Sequence, residues 1–274
     1  MTVRGRFGPE QWIFQTNPMT PSLRTENLTI RFGGHVAVNG VTCAFRAGEL
    51  TVIVGPNGAG KTTWFNLVSG QLRPSEGKVF KGDREISGLS PSARAKAGIG
   101  RAFQLTNLFP KLSVLENVRL AVQARRGDGP RIFTRAASLT RLRDEAQGYL
   151  ESARLADVAG YPASALPHGD QRKLEVAMLI AMQPDVFMFD EPTAGMSVDE
   201  APVILDLIAS IKKDTSRTIL LVEHKMDVVR ALADRIVVLH NGELVADGKP
   251  DEVMALPQVR EIYLGVGADE EEAA

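Results

Sequence analysis

The sequence has 274 residues, of which 44% are hydrophobic and 24% are charged, and its formal net charge at pH 7 is −1. A nearly neutral chain has no global basic field, so its bulk charge gives no indication of binding to nucleic acid. The single cysteine, Cys43, excludes an internal disulfide framework, and no segment has the ~18 consecutive apolar residues of a membrane-spanning helix.

The two ends of the chain differ in composition from the part between them. Residues 1–22 contain charges and prolines but no apolar stretch typical of a secretory signal, so we expect a loosely ordered extension. Residues 266–274 contain the acidic run Asp269–Glu272 and are expected to form a solvated tail. One folded domain is therefore predicted over residues 23–265.

The first predicted element of that domain is a small antiparallel sheet over residues 23–45. Its β-prone segments are separated by Gly33–Gly34 and Asn39–Gly40, dipeptides that are typical of tight turns. Phe32 ends the first strand, where its ring can stack on a purine base. An aromatic residue in this position also fits a simple core or turn role.

A glycine-rich segment follows the short apolar run Leu50–Val54, which is typical of a parallel strand buried on both faces. The segment has the pattern G-x-x-x-x-G-K-[ST] and consists of Gly55, Pro56, Asn57, Gly58, Ala59, Gly60, Lys61 and Thr62, followed by Thr63. Glycines let backbone N–H groups converge on phosphate oxygens, and the helix that follows directs its positive end at them. Because the lysine suits β- and γ-phosphates and the threonine suits Mg²⁺, we predict a nucleoside triphosphate site rather than an ordinary turn.

Helices are the main elements predicted after this loop. One helix follows the loop to Val68, Ser90 and Ser113 are predicted to cap two more, and a fourth has helical periodicity from Leu139. Gln104 lies at a junction between strand and helix, where an isolated glutamine is usually a surface amide.

The segment from Arg125 to Arg143 is rich in arginine and is interrupted by glycine and proline. Such a segment is most often a solvated loop. Contact with membrane headgroups is the alternative interpretation.

Two apolar segments in the second half of the chain end in polar side chains. Val186–Phe189 is followed by Asp190 and Glu191, and Thr218–Val222 leads to His224. Alone, an acidic pair at a strand end is often a helix cap, and a lone histidine there is often structural. Behind a matched phosphate loop, Asp190 is placed to hold Mg²⁺ through water, Glu191 to activate the attacking water and His224 to reach the γ-phosphate.

The segment Leu166–Gln171 precedes a helix that is predicted over residues 172–182. The N-terminus of that helix is another potential phosphate site, because the positive end of the helix dipole lies there. Ser197 and Glu200 have the spacing of a capping box and predict the start of the next helix, and Asn241–Gly242 predicts a hairpin turn.

Together these segments resemble the ATPase subunit of ATP-binding cassette (ABC) transporters over residues 23–265. In that family the glycine-rich segment is the Walker A loop, and the strand with two carboxylates is the Walker B motif. The resemblance implies adenine stacking for Phe32, the Q-loop position for Gln104, the catalytic glutamate for Glu191 and the switch position for His224. The implied Mg²⁺ residues are Thr62, Gln104 and Asp190.

The segment Leu166–Gln171, LPHGDQ, is a looser match to the family signature LSGGQ. Leu166 and Gly169 are retained, and the resemblance implies that they contact a nucleotide held by the Walker motifs of a second ATPase subunit. Proline replaces the serine, histidine replaces a glycine and aspartate replaces the glutamine. We therefore expect a signature that is weakened but competent.

Within the family, three features are similar to the branched-chain amino acid importers: RAFQLTNLFPKLSVLENV, the arginine-rich insertion and VREIYLG near the C-terminus. Relatives in that group handle urea, amides or aromatic acids, and an ATPase subunit does not contact the solute. The sequence therefore leaves these alternative solutes open.

The resemblance also implies a fold, cofactors and partners. The expected fold is an α/β P-loop NTPase core with an antiparallel β subdomain and a helical subdomain at about residues 105–165. The expected cofactors are ATP and Mg²⁺. The expected partners are two membrane permease subunits, a second ATPase subunit that is identical or different and, indirectly, a solute-binding protein, with the chain peripheral on the cytoplasmic face of the membrane.

Two other classes of protein share parts of this pattern. A cassette protein that acts on DNA or ribosomes has the same Walker motifs, but it typically carries a long coiled-coil insertion or two cassettes, and this sequence has neither. A non-hydrolysing regulatory module should lack Lys61 or Glu191, and both are present. The sequence therefore favours the ATPase of an importer.

Overall fold

The computed structural model describes residues 22–102, 108–126 and 136–262. Its strands are β1 (Leu23–Phe32), β2 (His35–Phe45), β3 (Leu50–Val54), β4 (Glu76–Lys81), β5 (Arg84–Glu85), β6 (Ile99–Ala102), β7 (Val186–Asp190), β8 (Thr218–Val222), β9 (Arg235–His240) and β10 (Glu243–Gly248). Its helices are α1 (Lys61–Ser69), α2 (Pro91–Lys96), α3 (Val114–Arg125), α4 (Ala136–Ser152), α5 (His168–Met182), α6 (Ala201–Lys212), α7 (Met226–Leu232) and α8 (Pro250–Ala255).

The larger sheet has the strand order β10-β9-β3-β8-β7-β6, and only the β9–β10 pair among these strands is antiparallel. Every residue of β3, β7 and β8 is buried, as their apolar sequences predict. Because parallel strands point in the same direction, the residues that follow β3, β7 and β8 meet at one edge of the sheet. These are the segments with the predicted site residues.

Successive side chains of the larger sheet enter two different cores. Phe187 and Phe189 of β7 join the core formed with helices α3 to α6, whereas Val186 and Met188 join the core formed with α1 and the smaller sheet. The smaller sheet is antiparallel, in the order β2-β1-β4-β5. The large sheet is therefore the middle layer, and the predicted α/β architecture is confirmed.

Helices dominate the part of the chain between β6 and β7. Helices α3, α4 and α5 pack against one another, and two short 3-10 turns cover residues 156–158 and 163–165. Ser113 Oγ accepts a hydrogen bond from the Glu116 N–H, which confirms the predicted cap of α3. This arrangement fits the expected helical subdomain, whose boundaries stay a prediction.

The arginine-rich segment is described only at its two ends. Arg125 and Arg126 both pair with Glu145, and Arg143 pairs with Glu116. These three arginines are therefore partnered within the chain, which favours a structural role for them over contact with a membrane. Residues 127–135 lie outside the described residues.

Three local predictions are wrong. Asn39–Gly40 is not a turn: β2 runs through it, and the Asn39 N–H donates to the carbonyl of Gly242 at 2.8 Å. Helix α5 begins at His168 rather than at Arg172. The Glu200 carboxylate accepts from Ser197 before α6 begins, so the two residues form a turn and not a capping box.

Candidate nucleotide-binding site

The glycine-rich loop connects β3 to α1 and borders a cavity of about 310 Å³. The cavity is lined by His35, Ala37, Asn57, Gly58, Ala59, Gly60, Lys61, Thr62, Thr63 and Glu191. Most of these are residues that the sequence assigned to phosphate binding, and one is the predicted catalytic glutamate. The structure thus places the loop and this glutamate on one cavity.

Two glycines of the loop cannot be replaced without a clash. Gly55 has a φ of 148°, and a Cβ there would lie 2.1 Å from the carbonyl oxygen of Leu239. Gly60 has a φ of 93°, and a Cβ there would lie 2.5 Å from the carbonyl oxygen of Ala37. The loop can therefore follow this path, against β9 and β2, only with glycine at both positions.

The N-terminus of α1 is suited to an anion. No acidic residue lies in its first turn, so the positive end of the helix dipole is not neutralised by the helix itself. Gly60 precedes Lys61, the first residue of the helix, and both line the cavity. A phosphate group in the cavity would meet this helix end.

Lys61 is buried, and its Nζ donates hydrogen bonds to the carbonyls of Gly55 at 2.7 Å and Pro56 at 2.8 Å. Burial lowers the pKa of Lys61, and the nearby Glu191 and Asp190 act in the opposite direction. An incoming phosphate would add negative charge beside this ammonium group and favour its charged form.

Asp190 ends β7 and is completely buried. Its Oδ2 accepts a hydrogen bond from Arg101 at 2.8 Å, while its Oδ1 has no hydrogen-bond partner among the described residues. Burial raises the pKa of Asp190, and Arg101 opposes that change. A buried carboxylate oxygen without a partner is rare in folded proteins, so this end of the strand is a candidate site for a donor or a cation.

These residues fit Mg²⁺. Carboxylate and hydroxyl oxygens are ligands that Mg²⁺ accepts, directly or through retained waters, and Asp190 and Thr62 supply one of each. Thr62 lines the cavity, and Asp190 precedes Glu191, which lines it too. Gln104, the third residue implied by the resemblance, lies outside the described residues, and its role stays a prediction.

Glu191 has a backbone conformation that is unusual for a residue with a side chain. Its φ is +48°, its N–H donates to the carbonyl of Val222 at 3.0 Å, and Arg172 donates to its carbonyl at 3.4 Å. Its Oε1 lies 2.6 Å from Nε2 of His224. Rare backbone conformations persist where surrounding hydrogen bonds enforce them, often at functional sites. Here those hydrogen bonds hold the Glu191 carboxylate at the cavity wall.

The position of His224 depends on two residues that the sequence interpretation missed as site residues. Glu223 is buried, and its Oε1 accepts from Thr193 Oγ1 at 2.7 Å. Its Oε2 accepts from the His224 N–H at 2.8 Å. This chain of hydrogen bonds links the end of β8 to the residues after β7. No sequence pattern indicates that Thr193 would bind Glu223.

Seven predicted residues in the described part of the chain do not line the cavity: Gly55 and Pro56 of the loop, Asp190 and His224 next to Glu191, and Phe32, Leu166 and Gly169. Phe32 is 48% exposed and pairs in register with His35, which does line the cavity, so base stacking by Phe32 stays a prediction. Leu166 and Gly169 are buried elsewhere, at the start of α5. Their expected contact with the nucleotide of a second subunit stays a prediction.

Gly169 has a close neighbour within its own chain. A Cβ on Gly169 would lie 2.2 Å from Oε1 of Glu200. These atoms are the end of a flexible side chain, so a larger residue at this position would displace the Glu200 carboxylate, whatever the role of a second subunit. The tight contact is a property of the tertiary structure, since nothing in the sequence relates these two residues.

The fold and the site define a P-loop nucleoside triphosphatase, with a phosphate loop after one buried strand and two carboxylates after another. The family model for the ABC transporter matches residues 38–194. The chain is 38% identical over 252 residues to the high-affinity branched-chain amino acid transport ATP-binding protein LivG of Salmonella typhimurium, covering 89% of this chain and 98% of the relative. The chain belongs to the family of ABC transporter ATP-binding proteins.

Other comparisons agree. The high-affinity branched-chain amino acid transport ATP-binding protein BraF of Pseudomonas aeruginosa is 36% identical over 251 residues, with 89% of this chain and 98% of the relative covered. The ADP conformation of MJ1267, an ATP-binding cassette of an ABC transporter, has a TM-score of 0.74 and 29% identity, covering 90% of this chain and all of that chain, 100%. The predicted fold class and family are therefore confirmed.

No helix in the described part of the chain is long and apolar enough to cross a bilayer.

Proposed function

We propose that this chain is the ATP-binding and ATP-hydrolysing subunit of an importer for branched-chain amino acids. The observation that carries the proposal is the single cavity on which the phosphate loop, Lys61 and Glu191 meet. The amino acid class is supported by the relatives, which are named as branched-chain amino acid transport proteins.

The residues divide the chemistry between them. The loop N–H groups and Lys61 bind the phosphates. Thr62, Asp190 and Gln104 would hold Mg²⁺, which would supply positive charge to offset the negative charge of the phosphates. Glu191 accepts a proton from the attacking water as general base. His224, 2.6 Å from Glu191, keeps that carboxylate in place and contacts the γ-phosphate side of the site.

The assembly that we propose contains two permease subunits, a second ATPase subunit, identical or different, and indirectly a solute-binding protein. The chain would be held at the cytoplasmic face of the membrane by the permeases. Contact with the permeases is supported by an apolar patch on the predicted helical subdomain. The patch is formed by Phe109, Leu112 and Tyr161, whose side chains are 51%, 38% and 58% exposed. Backbone hydrogen bonds from Val114 to Tyr161 and from Ala163 to Leu112 join the two segments of the patch.

The solute is tested by transport. The complex purified from the native membrane through a tag on this chain is reconstituted into vesicles with ATP, and uptake of labelled leucine, urea, an amide and phenylalanine is compared. We expect ATP-dependent uptake of leucine. Uptake of urea, the amide or phenylalanine alone would overturn the amino acid class but leave the ATPase proposal intact, and a chain without ATPase activity would overturn both.

Tyr161→Glu is expected to reduce recovery of the permease subunits with this chain by at least about tenfold, because it places a charge in the centre of an apolar interface. The ATPase activity of the isolated chain should not change. Leu256→Glu, at a residue that is 36% exposed outside the patch, is the matched control. Equal recovery with both variants would contradict the proposed contact.

The signature segment gives a second prediction about assembly. Pro167 precedes α5 and has neither a hydroxyl nor an N–H, so Pro167→Ser adds one potential hydrogen bond to phosphate, typically worth about 1.5 to 3 kcal/mol. Since the N–H groups around Gly169 already carry much of that contact, we expect less than a tenfold change in the ATPase rate of the assembled complex. Gly169→Asp should nearly eliminate hydrolysis, because it sets a carboxylate against the partner's phosphate.

The contact between Gly169 and Glu200 requires a control. Gly169→Asp also clashes with Glu200, so the double variant Gly169→Asp with Glu200→Ala removes the clash within the chain. If repulsion of the partner's nucleotide is the cause, the double variant stays inactive. Recovery of activity in the double variant would show that the segment does not meet a nucleotide. Small and equal effects of Pro167→Ser and Gly169→Asp would show the same.

A further inference from the structure

Arg101 is a buried cation with several partners around the end of β7. Its side chain is 6% exposed, and its guanidinium donates to Oδ2 of Asp190 at 2.8 Å. It also donates to Oδ1 of Asn66 at 2.6 Å and to Oγ of Ser69 at 2.9 Å. The guanidinium carbon lies 5.6 Å from the centre of the Phe65 ring.

These contacts join three elements of the site. Arg101 belongs to β6, which pairs in parallel with β7, and Arg101 lies in register with Met188 of that strand. Asn66 and Ser69 belong to α1, the helix that begins at the phosphate loop. The guanidinium therefore ties the carboxylate at the end of β7 to the helix that presents Lys61 and Thr62.

The two carboxylate oxygens of Asp190 have different hydrogen bonding in this arrangement. Oδ2 is held by Arg101, and Oδ1 has no hydrogen-bond partner among the residues described. A planar guanidinium donates in fixed directions, so it restricts the rotation of the carboxylate that it binds. One oxygen is thereby fixed, and the other is left as an acceptor.

We propose that Arg101 is a positioning residue for the Mg²⁺–nucleotide site, holding Asp190 through Oδ2 so that Oδ1 is available to the metal or to its bound water. This inference rests on the proposed function. The role proposed for Arg101 acts through Asp190 and requires no direct contact with the metal or the nucleotide. Residues that orient a metal ligand in this way typically change metal affinity by about 10- to 100-fold when they are removed.

A second buried arginine provides the matched control. Arg94 is 1% exposed and also holds the end of α1, through the carbonyls of Leu67 at 2.6 Å and Val68 at 2.7 Å. Among the described residues its other acceptors are the backbone carbonyls of Ser87 and Leu89, and Asp190 is not one of them. Loss of Arg94 therefore reports the cost of removing a buried arginine from α1 without disturbing the carboxylate.

The test measures metal binding as well as activity. Mn²⁺ is titrated into the purified full chain with saturating ADP and followed by electron paramagnetic resonance, and ADP binding without metal is measured separately. For Arg101→Met we expect Mn²⁺ affinity to fall by about 10- to 100-fold, with metal-free ADP binding within about twofold of wild type. The Mg²⁺ concentration for half-maximal ATP hydrolysis should rise by the same factor.

The controls separate the possible causes. Arg94→Met should lower the melting temperature but leave Mn²⁺ affinity unchanged. Arg101→Lys keeps the charge but has no planar fork, so we expect an intermediate loss, and this variant carries the test if Arg101→Met does not fold. Wild-type Mn²⁺ affinity in a folded Arg101 variant would overturn the inference, and so would equal losses of Mn²⁺ affinity in the Arg94 and Arg101 variants. A wild-type chain that does not bind ADP would overturn the proposed function instead.

Discussion

Lys61→Ala is expected to abolish ATP hydrolysis and to weaken ATP binding by about 10² to 10⁴. The estimate follows from the loss of two charge-assisted hydrogen bonds to phosphate, each worth about 1.5 to 3 kcal/mol, at 1.4 kcal/mol for each tenfold change. Lys61 is placed for this role because, within the described part of the chain, its buried Nζ donates hydrogen bonds only to the loop carbonyls of Gly55 and Pro56. Calorimetric titration with ATP and a phosphate-release assay measure the two effects.

The fold should survive this substitution, since Lys61 is bonded to its own loop and not to another element. Lys78→Ala is the control, because Lys78 is 56% exposed and pairs with Glu85 on the smaller sheet. Its effect on ATP binding should be negligible. If Lys61→Ala hydrolyses ATP at the wild-type rate while remaining folded, the loop does not bind the phosphates and the assignment of the cavity is wrong.

Glu191→Gln should retain ATP affinity and lose about 10² to 10⁴ in turnover, the usual contribution of a positioned base. Glutamine keeps the size of the side chain and can still bond to His224, but its amide cannot accept the proton of the attacking water. Single-turnover hydrolysis and ATP binding are measured on the same preparation. Because bound ATP is no longer consumed, the variant should also form ATP-dependent dimers in size-exclusion chromatography.

The matched control for this variant is Glu243→Gln. Glu243 lies on β10 and accepts a hydrogen bond from Asn39 at 2.7 Å, which the oxygen of glutamine can also accept. Turnover should therefore stay near that of the wild type. A Glu191→Gln variant that turns over normally would remove this residue from the chemistry, and one that stays monomeric with ATP would count against a site shared between two subunits.

The electrostatics of the site explain why loss of the Lys61 charge is expected to have a large effect. Lys61 and Asp190 are both buried, and burial acts against the charged form of each. Neither charge is favoured by the fold alone, and each gains from a ligand of opposite sign. Binding of a metal–nucleotide complex supplies a cation to Asp190 and an anion to Lys61, so the groups are more stable with the ligand than without it.

Much of the site could be predicted because its signals are local. The phosphate loop depends on residues that are consecutive in the chain, and the apolar segments at β3, β7 and β8 have the composition of buried parallel strands. Strands that are parallel present their carboxyl ends at one edge, so Lys61, Glu191 and His224 could be expected near one another. The 2.6 Å contact between Glu191 and His224 agrees with that expectation.

Other parts could not be predicted, because their partners are distant in the sequence. His35 and Ala37 reach the cavity only because β2 packs beside the phosphate loop. The same packing replaces the expected turn at Asn39–Gly40 by a hydrogen bond to Gly242. A dipeptide that favours a turn by itself can remain inside a strand when a neighbouring element supplies its hydrogen bond.

By itself, the sequence determined the phosphate loop, the two carboxylates after β7 and the class of fold, since residue spacing and burial pattern are sufficient for each. Only the tertiary structure decided which groups surround the site residues. Arg101 donates a hydrogen bond to Asp190, Glu223 accepts one from the His224 N–H, and the Glu200 carboxylate lies against Gly169. Hydrogen bonds and close packing of this kind depend on distances between elements, and periodicity along a chain contains no information about those distances.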